Sequence, residues 1–147
     1  MEFPAGFFLL YLHIMKNLCA IFLLLFATAC DYQSQYKKAE DAQDAGREFI
    51  RASLDGDYYK AKFYMMEDST NKFLLERWKS EYDNFSADEK AKYKDAEIVV
   101  LNINRENDSV TSYKYFNSYK KDTTTVKVLR IKGEWLVDLK EFMNNYK

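Results

Sequence analysis

Residues able to carry nucleophilic or metal chemistry are scarce in this chain, which has one His and two Cys among 147 residues. His13 and Cys19 lie within an apolar stretch near the N-terminus, and Cys30 follows directly after it. If that stretch is removed, no imidazole remains. Ser–His–Asp catalysis, Cys–His catalysis and Cys/His zinc binding are then excluded. We predict no metal and no cofactor, and any catalysis would depend on carboxylates, Tyr or Lys.

The apolar stretch Phe7–Ala29 allows two interpretations. It has about the 20 residues that a membrane-spanning helix needs, but Lys16 near its centre would cost about 2.5–3.5 kcal/mol. If translation starts at Met15, Lys16 instead supplies the positive charge that begins a secretion signal, and Leu18–Phe26 has the length of its hydrophobic part. We therefore predict that residues 1–29 are a signal peptide, with Met15 as the candidate true start.

The run Phe26-Ala27-Thr28-Ala29-Cys30 resembles the lipobox of bacterial lipoproteins. The resemblance implies cleavage before Cys30 and attachment of diacylglycerol to its thiol. Two or three acyl chains anchor a protein stably, at about 0.8 kcal/mol per buried CH₂. Plain secretion and a membrane span stay open as alternatives. Asp31 resembles an inner-membrane retention signal of enteric bacteria that other phyla do not follow, so the expected place is the cell envelope, at the inner or outer membrane, with the domain in the periplasm or at the cell surface.

The charges are nearly balanced, with 22 Lys and Arg against 23 Asp and Glu and a formal net charge of -1. This balance lacks the basic excess typical of nucleic-acid binding, so we predict no nucleic-acid partner. Runs of mixed sign such as Lys37–Asp41 are typical of solvated helix faces. The length fits one domain. We predict a tether with the lipidated Cys over residues 30–37 and one domain over residues 38–147.

Apolar residues recur at helical spacing in the first half of the predicted domain. Gly56 is suited to end the first helix because it adopts positive φ readily, and Asp57 can cap the second. Ser86 and Glu89 have the spacing of a capping box. The inward side of the third helix is expected to carry Phe73, Leu74, Trp78 and Tyr82. The predicted helices are Tyr36–Leu54, Tyr58–Met66, Asn71–Tyr82 and a short one ending at Tyr93.

The hydrophobic period then changes to two residues, which is typical of strands. Val99, Leu101 and Ile103 are expected to share one face of the first strand. Lys132-Gly133 has the length of a tight hairpin turn. The predicted strands are Glu97–Arg105, Ser109–Tyr119, Thr123–Ile131 and Glu134–Leu139. Short turns between them indicate an antiparallel meander, and with all helices N-terminal to it the fold class is α+β, helices packed on a curved four-stranded sheet.

The segment Leu54-Asp55-Gly56-Asp57-Tyr58 and the terminal hairpin Ile131–Leu139, with Trp135, resemble the nuclear transport factor 2-like (cystatin-like) superfamily. In particular, the chain is similar to small bacterial lipoproteins of unknown function with that fold, over Lys38–Leu139. The resemblance implies a cone between a bent sheet and the helices whose apolar interior can hold a ligand. Members include isomerases, dehydratases and polyketide cyclases besides many non-catalytic modules, so the fold does not determine the function.

Large aromatic side chains are the candidates to line such a cone and contact an apolar ligand. These candidates are Phe49, Tyr64, Trp78, Tyr113, Tyr115 and Trp135. The alternative is that they fill the core completely, because aromatics are the main core supply of a domain this small. We assign no catalytic residue. The expected function is non-catalytic binding of a protein partner or a small apolar ligand; the alternative is a small isomerase or dehydratase-like enzyme using Asp138, Tyr113 or Tyr115.

Other contacts of the domain are less specific. Edge strands of a four-stranded sheet favour partner binding, and a homodimer through the sheet is one such arrangement. Ser69, Ser109 and Thr123 each follow an Asp in the pattern Asp-Ser/Thr-x, which resembles an acceptor motif for O-glycans in Bacteroidota. Asp, Ser and Thr are also ordinary turn and cap residues, so glycosylation at these three positions stays open.

Overall fold

A computed structural model describes residues 36–141 of the chain. The predicted signal peptide, the candidate start Met15 and the predicted lipidation site Cys30 lie outside the described residues. No helix within residues 36–141 combines the length and the apolar character needed to cross a membrane.

Four helices are followed by four strands in the described part of the chain. They are α1 Ala42–Asp55, α2 Tyr58–Phe63, α3 Ser69–Asp83, α4 Ala87–Asp95, β1 Ile98–Asn107, β2 Val110–Asn117, β3 Thr124–Ile131 and β4 Glu134–Asp138. The strands form one antiparallel sheet in the order β1-β2-β3-β4. The predicted α+β class, with helices before a four-stranded meander, is confirmed.

Polar caps set where the helices begin. The Asp41 carboxylate accepts a hydrogen bond from the Asp44 amide at 2.8 Å, so α1 begins at Ala42 and not at Tyr36 as the periodicity predicts. The predicted capping box at Ser86 and Glu89 is present, with both reciprocal hydrogen bonds. Side-chain acceptors therefore locate helix starts better than apolar spacing does.

The segment Tyr64–Met66 is not helical, although the sequence predicts that the second helix continues through it. The Met66 amide donates to the Val137 carbonyl at 2.9 Å, and the Val137 amide donates to the Tyr64 carbonyl at 2.8 Å. The Tyr64 amide still donates to the Lys60 carbonyl as the last turn of the helix, and the Met66 amide pairs with the outer edge of β4 in place of a helical partner.

A β-bulge at Leu101 changes which side chains of β1 share a face. Val100 lies opposite Tyr115 and Ile103 opposite Tyr113, so the extra residue Leu101 is left out of the pairing with β2. Val99 pairs instead with Phe116 on the other face. The expectation that Val99, Leu101 and Ile103 share one face is therefore wrong, because a bulge reverses the alternation beyond it.

The core lies between α1 and the inner face of the sheet. Ala45, Ile50, Val126, Val128 and Val137 are at most 1% exposed. Valines at alternate positions of β3 present their branched side chains to α1, as expected for strand residues that face a helix. The sheet therefore has one covered face, and its register determines which side chains enter the core.

The turn between α1 and α2 depends on a glycine. Gly56 has φ 72° and follows the last residue of α1, and the Asp57 amide donates to the Ala52 carbonyl at 2.9 Å. Side-chain space is also absent, since a Cβ at Gly56 would lie 2.3 Å from Cε1 of Tyr82. The turn predicted at Gly56 is confirmed. Because the Tyr82 ring of α3 packs against it, this position excludes a side chain in addition to requiring positive φ.

Helix α4 has no buried residue of its own and is attached by Arg51 of α1. The Arg51 guanidinium donates to the carbonyls of Ala96 at 2.8 Å, Lys94 at 3.0 Å and Tyr93 at 3.2 Å. One side chain thereby donates to three carbonyls at the C-terminal end of α4, where helix carbonyls run short of intrahelical partners; the Tyr93 carbonyl also accepts from the Ala96 amide at 3.2 Å.

Candidate functional site

The six aromatic residues predicted to line a ligand pocket belong to the core or pack against it. Phe49, Tyr64, Tyr113 and Tyr115 are at most 8% exposed, and Trp78 and Trp135 are partly buried beside them. A ligand could reach the four buried rings only if the core opened. Ligand binding by these six residues stays a prediction.

Hydroxyl groups in this cluster are placed for structural contacts. The Tyr64 hydroxyl donates to the Lys37 carbonyl at 2.7 Å, and burial raises the pKa of Tyr64. Burial also raises the pKa of Tyr113, whose ring centroid lies 6.3 Å from that of Tyr115. Both phenols therefore stay protonated at neutral pH, and neither is activated as a base.

The acid–base arrangement of the alternative, enzymatic function needs a carboxylate and a phenol on one face of the sheet. Asp138 pairs in register with Lys127, whereas Tyr113 pairs with Val126 on the face that α1 covers. Asp138 also lies 3.6 Å from the Lys140 ammonium. The structure does not bring Asp138 and Tyr113 together, and no group of three or more His, Cys, Asp or Glu within residues 36–141 could hold a metal ion.

Two aromatic residues are exposed on the helical side of the domain. Tyr59 on α2 is 77% exposed, and Phe73 on α3 is 64% exposed. Because Phe73 was expected to face inward, its exposure is a correction. The buried residues of α3 are Asn71, Leu75 and Tyr82, which follow one another at spacings of four and seven residues. This spacing puts them on one face of the helix, and Phe73 does not lie on that face.

Contacts around Tyr58 connect the exposed ring of α2 with the side of α3 that carries Phe73. The Tyr58 hydroxyl donates to Glu76, and its ring lies edge-on to Tyr59 with centroids 5.7 Å apart. The Lys79 ammonium lies 6.0 Å from the Tyr58 ring centroid. Phe73 precedes Glu76 by three residues and so lies on the same side of α3. We call Tyr58, Tyr59, Phe73, Glu76 and Lys79 the aromatic patch.

Electrostatics determine the charge states of the aromatic patch. The hydrogen bond to Glu76, together with partial burial and the Glu76 charge, raises the pKa of Tyr58 to about 12. The hydrogen bond to Asp83 raises the pKa of Lys79. At neutral pH Tyr58 is therefore a donor, Glu76 its acceptor and Lys79 a cation, which suits a surface of rings edged by one charge of each sign.

We expect Tyr58 to remain protonated at about pH 11, because its pKa lies well above the ordinary value of about 10 for a tyrosine. Glu76→Gln removes the negative charge and should lower this pKa toward the ordinary value. Titration by NMR of ¹³C-labelled tyrosine, assigned with Tyr58→Phe, measures the shift. Glu81→Gln on the same helix is the control and should leave the titration unchanged. A measured pKa of Tyr58 below the ordinary value for a tyrosine would contradict the assigned hydrogen bond.

An open cleft of about 380 Å³ lies beside α4. It is lined by Asp55, Tyr82, Ala87, Lys90, Ala91 and Lys94. Its charged groups are largely committed, since Lys90 donates to the Asp83 carbonyl at 2.9 Å and Asp55 pairs with Arg51 at 3.0 Å. The cleft thus offers a ligand little unsatisfied polarity. Ser69, Ser109 and Thr123 are exposed, and glycosylation there stays a prediction.

Comparisons with known proteins give one structural similarity. No protein-family profile matches the chain, and no curated protein sequence matches it. Among solved structures, the chain is similar to an NTF-2-like protein of unknown function from Shewanella oneidensis MR-1, at 14% identity and a TM-score of 0.45. That similarity covers 63% of this chain and 88% of the other. The functional assignment therefore depends on the residues of this chain.

Proposed function

We propose that this chain is a lipid-anchored protein of the bacterial cell envelope with a nuclear transport factor 2-like domain that serves as a non-catalytic binding module for a protein partner. The observation that carries the proposal is the distribution of aromatic side chains. Tyr59 and Phe73 are exposed, while Phe49, Tyr64 and Tyr113 are buried in the core. A pocket function would need the opposite arrangement, with rings lining an accessible cavity.

The aromatic patch has the composition of a protein-binding surface. Aromatic rings are enriched among the few residues that dominate binding energy in protein interfaces, and they bind at a small entropic cost because they have few rotatable bonds. Glu76 and Lys79 are held by Tyr58 and Asp83, so they need little reordering on binding. A partner with its own apolar side chains and a polar rim fits this surface.

The lipobox supports the location of the binding module. A lipid-modified Cys30, followed by a polar tether, would place the domain beside a membrane and restrict its partners to envelope proteins. Nothing in the proposal needs an acid–base pair, which agrees with the separation of Asp138 and Tyr113 by the sheet.

A capture experiment tests partner binding by the aromatic patch. The full chain is cross-linked in its own envelope and purified, and the captured proteins are quantified by mass spectrometry. We expect Tyr59→Ser with Phe73→Ser to reduce the specific partner about tenfold or more, as loss of two central aromatic contacts does. Leu101→Ser, which removes an exposed apolar side chain elsewhere on the domain, is the matched control and should retain capture.

Anchoring has its own readout in the same cells. Labelling with a clickable fatty acid should mark the full chain and leave Cys30→Ser unlabelled, and Cys30→Ser should leave the membrane fraction. Equal labelling of both chains would overturn the anchor. Equal capture by the double variant and the unmodified chain would overturn the aromatic patch as the binding surface.

A further inference from the structure

The two edges of the sheet differ in their hydrogen bonding. The outer edge of β4 is occupied, because Tyr64–Met66 pairs with Val137 through two backbone hydrogen bonds. The ten-residue strand β1 is hydrogen-bonded to β2 on one side, and within residues 36–141 no other strand pairs with its opposite side. Each domain thus has one closed edge and one long edge that can accept a further strand.

The open edge lacks the side chains that usually prevent strand addition. Residues 98–104 read IVVLNIN, seven consecutive residues with no charge, no Pro and no Gly. Val100 is 40% exposed and Leu101 is 50% exposed. Exposed edges are normally protected by Lys, by Pro, by β-bulges or by a covering segment; residues 98–104 have only the bulge at Leu101, and uncharged β-branched edges associate. This edge is therefore suited to being covered in the working protein.

We propose that β1 pairs antiparallel with β1 of a second copy of this chain, forming a continuous eight-stranded sheet. A second copy fits because each domain has one open edge. Two-fold pairing of β1 consumes both open edges and leaves the closed β4 edges outside, so assembly stops at two copies and does not continue into a fibre. The bulge at Leu101 lies in both copies at the same point of the pairing.

The bulge also selects the register. Side chains on the inner face are Ile98 and Val100 before the bulge and Ile103 and Arg105 after it. A pair that joins a residue before the bulge to a residue after it therefore keeps inner face opposite inner face only when the two numbers have an odd sum. Pairing Ile98 with Ile103 of the second copy satisfies this condition. By symmetry the dimer then contains two such Ile–Ile pairs, each with apolar side chains in contact.

Charges favour the same register. With Ile98 opposite Ile103, Glu97 lies opposite Asn104, and no like charges face each other over residues 97–104. Shifting the two strands by one pairing step, to place Ile98 opposite Arg105, would set Glu97 opposite Glu106, and directly opposed like charges destabilise strand pairs. The pairing thus has one preferred alignment.

This dimer uses a surface separate from the aromatic patch, so it does not depend on the proposed partner binding. The patch lies on α2 and α3, whereas β1 is a strand at the edge of the sheet. Variants of one surface should leave the other function intact, and failure of either proposal is visible without the other.

Cysteine cross-linking tests the register in the full chain. Equimolar Ile98→Cys and Ile103→Cys chains, mixed and oxidised, should give a covalent dimer. Either variant alone should not, because the two copies of residue 98 lie five residues apart across the pair, about 17 Å, and a disulfide needs Cα atoms within about 7 Å. The unmodified chain controls for Cys19 and Cys30. Failure of the mixture to cross-link, or equal cross-linking of the single variants, would overturn the register.

A charge placed on the edge tests the dimer itself. Leu101→Lys brings two ammonium groups together near the two-fold axis and should raise the dimer dissociation constant about tenfold or more, measured by sedimentation velocity of the full chain. Phe73→Lys changes an apolar side chain of similar exposure on α3 and should leave the dissociation constant unchanged. A monomeric unmodified chain, in which a segment outside residues 36–141 would be the remaining occupant, overturns the proposal. So does a dimer that Leu101→Lys leaves intact.

Discussion

Replacing Gly56 with Ala should lower the free energy of unfolding by about 2–4 kcal/mol, the sum of a backbone cost and a packing cost. The backbone at Gly56 has φ 72°, which L residues adopt at a cost of about 1–2 kcal/mol. The new Cβ would lie 2.3 Å from Tyr82, a ring that is 8% exposed and packs against Trp78 and Phe85. Because the ring cannot move freely, the turn itself must shift. Urea unfolding followed by circular dichroism measures the loss.

Gly133→Ala is the matched control for this loss. Gly133 has φ 87° in the β3–β4 hairpin, but a Cβ there meets no atom within 4 Å. It therefore carries the backbone cost without the clash, and we expect about 1–2 kcal/mol. A Gly56→Ala chain no less stable than Gly133→Ala would show that Tyr82 yields at no cost and would contradict the close packing of α3 against the turn.

Replacing Asn71 with Leu should destabilise the domain by about 2–4 kcal/mol, although the two side chains have similar volume. Asn71 is fully buried, and its Oδ1 accepts from the Leu139 amide at 2.7 Å while its Nδ2 donates to Asp68 at 2.9 Å. Leucine can do neither, so a buried amide that follows β4 loses its acceptor. The free energy of unfolding should fall, and hydrogen exchange at Leu139 should become faster than at Val137.

Asn84→Leu provides the comparison for the Asn71 variant. The side-chain Nδ2 of Asn84 donates to the Ser80 carbonyl at 2.9 Å. Because Asn84 is exposed, water can replace this hydrogen bond in the variant. We expect a change of about 0.5–1 kcal/mol or less. If both variants lost the same free energy, burial of Asn71 would not be the cause, and the attachment of the segment after β4 to α3 would have to depend on Lys140 and Asp68.

Local signals in the sequence were sufficient for the order of elements. The capping box at Ser86, the helix stop at Gly56 and the hairpin at Lys132-Gly133 all lie where their residue types predict, since each depends on neighbours in the chain. The change of hydrophobic period before Ile98 was sufficient to separate helices from strands. These features together define the α+β class.

Features that depend on distant partners could not be predicted in the same way. Asn71 is a polar residue inside an otherwise apolar helix line, and its partner amide lies 68 residues further along the chain. The bulge at Leu101 inserts one residue into a regular alternation, and no residue type marks it. Pairing of Tyr64–Met66 with β4 ends a helix whose own sequence would continue it.

The candidate site illustrates the same limit. The spacing of apolar residues identifies a helix but does not determine which of them face the core, so the sequence predicts that Phe73 faces inward beside Leu74. The buried Asn71 and Leu75 rotate the helix enough to expose Phe73. The exposure of Phe73 could be predicted only if the burial of Asn71 were already known.

The pairing of Tyr64–Met66 with β4 has a consequence for biosynthesis. The first half of the domain contributes a strand-like segment whose hydrogen-bonding partner, Val137, is made about 70 residues later. Contacts between such distant segments form slowly, and they cannot form before their second member exists. The nascent chain must therefore remain incompletely folded until synthesis has passed residue 137.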